Sequence, residues 1–108
     1  MSAIPPREVE NLPGLDDLAE ALVSMRNVDE VKRFLRNLCT LTELEALSHR
    51  WQIARLLEEK RPYLEIAETI RTSTATVTRV AQWLRHGTGG YRLALDRAAR
   101  RKAKAAKT

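Results

Sequence analysis

Between Tyr63 and Arg85 the chain reads YLEIAETIRTSTATVTRVAQWLR, and this run holds the side chains best suited to recognition chemistry. Thr74, Ala75, Thr76, Thr78 and Arg79 face outward at the start of a second helix, just after Thr72 and Ser73. A threonine hydroxyl can bond a base edge and its methyl can touch a thymine methyl, while arginine takes guanine or phosphate. Such a face suits the DNA major groove, where the second helix of a helix-turn-helix is inserted. Spacing alone also fits an αα-hairpin with a solvated polar face.

Two apolar stripes would hold that face in place. Ile66 and Ile70 are four apart and share one side of a first helix, with the small Ala67 beside them for a close crossing. Val77, Val80 and Leu84 give the second helix its own stripe. Ser73 is a good N-cap, because its hydroxyl can accept from a free backbone N–H. Arg71 stands where the turn of such motifs usually holds glycine. A non-glycine residue in the left-handed conformation costs on the order of 1 kcal/mol. Either the turn differs or the arginine is kept for a phosphate contact.

Charge is distributed unevenly. Residues 1–70 hold nine Lys/Arg against thirteen Asp/Glu, a net of −4. Residues 71–108 hold ten Lys/Arg and only Asp96, a net of +9. The basic excess begins at the turn of the motif and points to a polyanionic partner. Nucleic acid fits better than a membrane surface, since no basic segment carries a large Leu-rich or aromatic face. A solvated tail kept for solubility is the alternative.

The elements around the motif read as helices throughout. A length of 108 residues with five aromatics suggests one small domain, whose core of about 80 residues gains from dimerisation. Residues 1–14, with Pro5, Pro6 and Pro13, read as a flexible arm. A first helix runs to about Met25, with Leu15, Leu18, Leu22 and Met25 on its stripe. A second, capped by Asn27 with Glu30, runs to about Cys39 and presents Val31, Phe34, Leu35 and Leu38. Thr42 with Glu45 opens a third to about Lys60, burying Leu44, Leu47, Trp51, Ala54 and Leu57, and Pro62 stops it. The motif helices follow at about 63–70 and 73–86. After Gly87, Gly89 and Gly90 a last helix runs from about Tyr91 to Ala99 or beyond, and 99–108 form a basic tail.

Catalytic or metal chemistry finds no support in the residue pattern. His49 and His86 have no Cys or second His at ligand spacing, so a zinc site is not expected. GTGG at 87–90 follows a helix rather than a strand and reads as a hinge, not a phosphate cradle. Glu58/Glu59 and Asp16/Asp17 read as solvated charges. Ser48 and His49 are helix neighbours and do not face each other. The single Cys39 forms no intrachain disulfide and fits a reducing cytoplasm. No signal segment or membrane span is expected, and neither is a cofactor.

The stretches CTLTELEALSHRWQIARLL, YLEIAETIRTSTATVTRVAQWL and HGTGGYRLALDR resemble the tryptophan-repressor superfamily, and within it the YerC/YecD branch. The resemblance covers about residues 15–98, and ATVTRV and GTGGYRLALDR are its most specific parts. It implies an all-α, intertwined helical homodimer with a helix-turn-helix over about 63–85. Such a dimer reads a near-palindromic operator on double-stranded DNA, with half-sites about one helical turn apart. By resemblance, Thr74, Ala75, Thr76 and Thr78 contact bases and Arg85 contacts the backbone. With Thr72, Ser73 and Arg79 these form the candidate DNA-binding set. Leu64 and Ala67 stand where the repressor's first motif helix offers basic residues, which implies a different operator.

The resemblance also raises an effector pocket. Arg50 and Arg79 match the two arginines that flank the repressor's tryptophan, and Thr76 matches a further pocket position. Val80 and Trp83 stand where the repressor has Gly and Ser. Overfilling a packed site costs about 1–3 kcal/mol, so tryptophan is not the expected effector. The sequence reading thus leaves three functions: a sequence-specific regulator, an architectural DNA-binding protein driven by the tail, and an interaction module that has lost DNA binding.

Overall fold

A computed structural model describes residues 11–106. The part of the expected arm at 1–10 lies outside these residues. Among the described residues there are six helices: α1 (Leu15–Val23), α2 (Val28–Leu38), α3 (Leu41–Glu58), α4 (Tyr63–Ile70), α5 (Thr74–His86) and α6 (Gly90–Ala106). They fall into two compact units, described over residues 11–48 and 49–106, with the division inside α3.

In the first unit the helix ends are set by side chains. Asn27 Oδ1 accepts from Glu30 N–H at 2.9 Å, and the Glu30 carboxylate accepts from Arg26 N–H at 2.9 Å. The capping box of α3 is Thr40 with Glu43, two residues before the expected Thr42 with Glu45. Thr40 Oγ1 accepts from Glu43 N–H at 3.1 Å, and Glu43 accepts from Thr40 N–H at 2.8 Å. Both pairs satisfy the sequence pattern, but the earlier one starts α3 at Leu41 and gives it about half a turn more. The Glu43 carboxyl is held below its usual range, chiefly by the bond from the Thr40 backbone N–H. α1 stops at Val23, short of Met25, where the Ser24 hydroxyl donates to the Ala21 carbonyl at 2.6 Å.

The core lies wholly in the second unit. Ile53, Ala54, Ile66, Ala67, Val77 and Val80 form its buried cluster, with Trp51, Leu57, Tyr63 and Tyr91 packed against it. Ala54, Trp51 and Leu57 were expected there. Leu44 is only half-buried and Leu47 is 43% exposed, so the buried stripe of α3 is not the expected one. Ile53 takes the central place at 0% exposure. Apolar residues run around much of α3, and periodicity does not choose among such faces. The tail expected from 99 onward is helix as far as Ala106. After Gly90 it contains no glycine or proline, and Ala, Arg and Lys are strong helix formers.

Candidate nucleic-acid interface

α4 packs on α5, and the small Ala67, 5% exposed, permits the close crossing. α3 ends at Glu58, before the expected stop at Pro62: Lys60 turns left-handed at φ 64° and Arg61 N–H donates to the Leu56 carbonyl at 3.2 Å. Pro62 instead opens α4, its carbonyl accepting from Ile66 N–H at 3.0 Å. The turn between α4 and α5 contains the left-handed residue expected of the motif. Arg71 has φ 63° and ψ 53° and no glycine relieves it. The Ala67 carbonyl accepts from both Arg71 and Thr72 N–H groups, the latter at 2.9 Å, and these bonds fix the turn.

Ser73 caps α5 as expected, its hydroxyl accepting from Thr76 N–H at 3.1 Å. Val77 and Val80 are buried and Leu84 is half-buried, so the apolar stripe points into the core. The opposite face is free. Ser73, Thr74, Ala75, Thr78 and Arg79 are exposed, whereas Thr72 and Thr76 are half-buried. α5 has no carboxylate in its first turn, so its positive dipole end is left open to an anion.

The two central threonines differ in what they offer. Thr78 Oγ1 donates to the Thr74 carbonyl at 3.0 Å, leaving its lone pairs and methyl to a ligand. Thr76 Oγ1 lies 3.0 Å from Ser73 Oγ and shares in the cap. Arg85, exposed at the far end of α5, donates from Nη2 to the Tyr63 hydroxyl at 3.0 Å. That bond ties the last turn of α5 to the first turn of α4. On α4, Leu64 is 64% exposed, but Ala67 is buried and presents nothing outward.

The effector set is placed less favourably. Arg50 and Arg79 are exposed and Thr76 is engaged at the cap. Val80 is 1% exposed within the core, and Trp83 is half-buried. Arg50 lies near enough to Tyr91 to act on it: burial raises the phenol, and the Arg50 charge partly opposes this.

A network between α3 and α6 was not foreseen. Arg92 donates from Nη1 to Glu58 at 3.0 Å and from Nη2 to its second oxygen, and from Nε to Asp96 at 3.1 Å. Glu58 had read as a solvated charge. It is exposed but also paired: Arg92 holds its carboxyl below the usual range, and Glu58 raises the guanidinium in turn. The i,i+4 pairing of Arg92 with Asp96 is visible in sequence, but a partner 34 residues away is not. Gly87 separates α5 from α6, and a Cβ there would press into the Trp83 carbonyl. Among the described residues, no three His, Cys, Asp or Glu gather as a metal site, and no helix is long and apolar enough to cross a membrane.

A short helix, a left-handed turn and a capped helix with a polar exposed start define a helix-turn-helix protein. Comparison with known proteins narrows the class. Residues 13–99 match the Trp repressor protein family, and the chain belongs to it. It is 37% identical over 92 residues to the uncharacterized protein YerC of Bacillus subtilis, covering 83% of this chain and 88% of YerC. A TrpR-like protein from Eubacterium eligens aligns with TM-score 0.77 at 36% identity, over 82% of this chain and 92% of that one. A candidate Trp repressor from Staphylococcus aureus aligns with TM-score 0.80 at 32% identity, over 89% and 96%.

Proposed function

We propose that this protein is a sequence-specific DNA-binding transcriptional regulator, a repressor rather than an enzyme, that reads a near-palindromic site as a homodimer. The observation that carries the reading is the exposed start of α5. Its Thr74, Ala75 and Thr78 stand on a capped helix whose other face is locked into the core. Family membership supports DNA binding as the general function. Thr74, Ala75, Thr76 and Thr78 contact bases, with Thr78 acting as an acceptor or through its methyl. Thr72, Ser73, Arg79 and Arg85 contact the backbone. Dimerisation is supported by the exposed apolar side chains Val23, Val28, Leu38, Leu41 and Leu47, a set that a second subunit would cover. Action is cytoplasmic, on the bacterial nucleoid.

Tryptophan is not the effector in this reading. Val80 fills core volume where the repressor's ligand would need space, and any other effector is unassigned. A second reading has one observation in its favour. The basic run from residue 98 to Ala106 is helix, and an architectural protein could draw most of its affinity from it.

Selection of random duplex DNA at near-physiological salt separates the two, with full-length protein beside a chain ending at Arg97. A palindrome enriched by both forms supports the regulator. Retention only by the full chain, with no motif, rejects it in favour of architectural binding.

A further inference from the structure

The strongest unassigned feature is the C-terminal half of α6. The family match stops at residue 99, whereas α6 continues to Ala106. Arg97, Arg100, Arg101, Lys102 and Lys104 are all exposed, and Asp96 is the one carboxylate in the helix. Ion pairs among the described residues involve Arg33, Arg61 and Arg92 and include none of these five cations.

The cations are not spread evenly around the helix. At about 100° per residue, Arg97, Arg101 and Lys104 fall within about 60° of one another, with Arg100 at their edge. Lys102 lies instead on the side of the buried Leu95 and half-buried Ala98. The structure brings three of these four cations together directly, Lys104 lying beyond the cleft. An open cleft of about 740 Å³ beside Trp51 is lined by Leu93, Arg97, Arg100 and Arg101, and not by Lys102.

We propose that Arg97, Arg100, Arg101 and Lys104 form a helical phosphate-binding strip that lies along the backbone of duplex DNA, separate from the groove-reading face of α5. The proposal rests on the DNA-binding reading and deepens it. From Arg97 to Lys104 the helix rises about 10.5 Å. Each strand of duplex carries one phosphate per about 3.4 Å of axis, so that length faces about three phosphates. Four cations on one face are enough to neutralise all three. A lipid surface fits less well, because Leu93 is the one large apolar side chain on the strip.

The experiment measures binding of a 30-base-pair duplex against salt, using full-length chains with equal charge changes. R101Q removes a strip cation and K102Q removes its neighbour on the other side. Each lost phosphate contact lowers the slope of log K against log salt by about 0.9. R101Q is expected to flatten the slope by that amount and K102Q to leave it unchanged. The triple variant R97Q/R101Q/K104Q should flatten it by about 2.7. A103P, which keeps every charge but breaks the last turn, should weaken binding at 50 mM salt at least threefold. Equal slopes for R101Q and K102Q, or no change in the triple variant, overturn the strip while leaving the regulator standing. Failure of the unmodified chain to bind any duplex at 50 mM salt overturns both. Binding to phosphatidylserine vesicles that is lost in the triple variant, with duplex binding unaltered, assigns the strip to membranes and overturns the proposal.

Discussion

Replacing Arg71 with glycine should stabilise the protein while weakening its hold on DNA. Arg71 sits at φ 63° because two amides converge on the Ala67 carbonyl, and that geometry holds whatever the side chain. An L-residue pays about 1–2 kcal/mol for the left-handed conformation. Glycine avoids this but surrenders about 0.5–1 kcal/mol of extra chain entropy on folding. The expected net gain is about 0.5–1 kcal/mol. With a urea slope of about 1–3 kcal/mol/M, the midpoint should rise by roughly 0.2–1 M. Arg71→Ala is the control, since it removes the charge and keeps the strain. It should leave the midpoint unchanged or slightly lower. Both variants should lose the same DNA affinity if the guanidinium binds phosphate. Equal urea midpoints for the Gly and Ala variants would refute the strain argument. Unaltered affinity in both would remove the phosphate contact as the reason for an arginine there.

Three further outcomes are expected. Ser73→Ala removes the acceptor for Thr76 N–H and should cost about 1 kcal/mol in urea unfolding, with Ser73→Gly costing only a few tenths. Thr78→Ala should reduce the ratio of specific to nonspecific affinity in competition binding and leave the salt slope alone, because no phosphate contact is lost. Glu58→Gln should flatten the acid limb of stability. The Glu58 carboxyl is lowered by Arg92, so its contribution is complete above the ordinary glutamate value of about 4.3. That contribution is lost as pH falls through the lower folded value. The variant should therefore be less stable at pH 7 and converge with the parent in acid. A constant gap at all pH values would show that Glu58 acts through packing.

The motif was the most legible part of the chain, for local reasons. Ser73 follows the cap preference of a helix start, and Ile66 and Val77 follow helical spacing. Each of these is decided within a few residues. The face of α3 was not legible, because Leu47 and Ile53 compete on hydrophobicity alone and tertiary packing chose Ile53. Its start was misplaced because two Thr-x-x-Glu pairs overlap, at 40–43 and 42–45. The Glu58–Arg92 bond joins elements on either side of the motif, and no local rule reaches that far. The helical tail was underestimated because its charge suggested solvation, while its alanine content favoured helix.

The division of the chain suggests how affinity and specificity are shared. The core that supports α5 is contained in residues 49–106, so one copy can hold its reading face rigid. In the proposed reading one face would offer only a few base contacts, each worth about 1–3 kcal/mol of discrimination. Useful specificity requires about 4–10 kcal/mol over nonspecific DNA. Threonine contacts, shorter and not bidentate, belong at the low end of that scale, so a single face falls short. Two faces on one operator reach the range. On the proposed dimer, the exposed apolar residues of α1 to α3, including Val28, Leu38 and Leu47, would be the surface that makes two faces into one reader. The cations of Arg71, Arg85 and α6 cannot substitute for that pairing, since phosphates are the same in every sequence. Under the proposed reading, added charge would raise occupancy everywhere, and only dimerisation would make the threonines count.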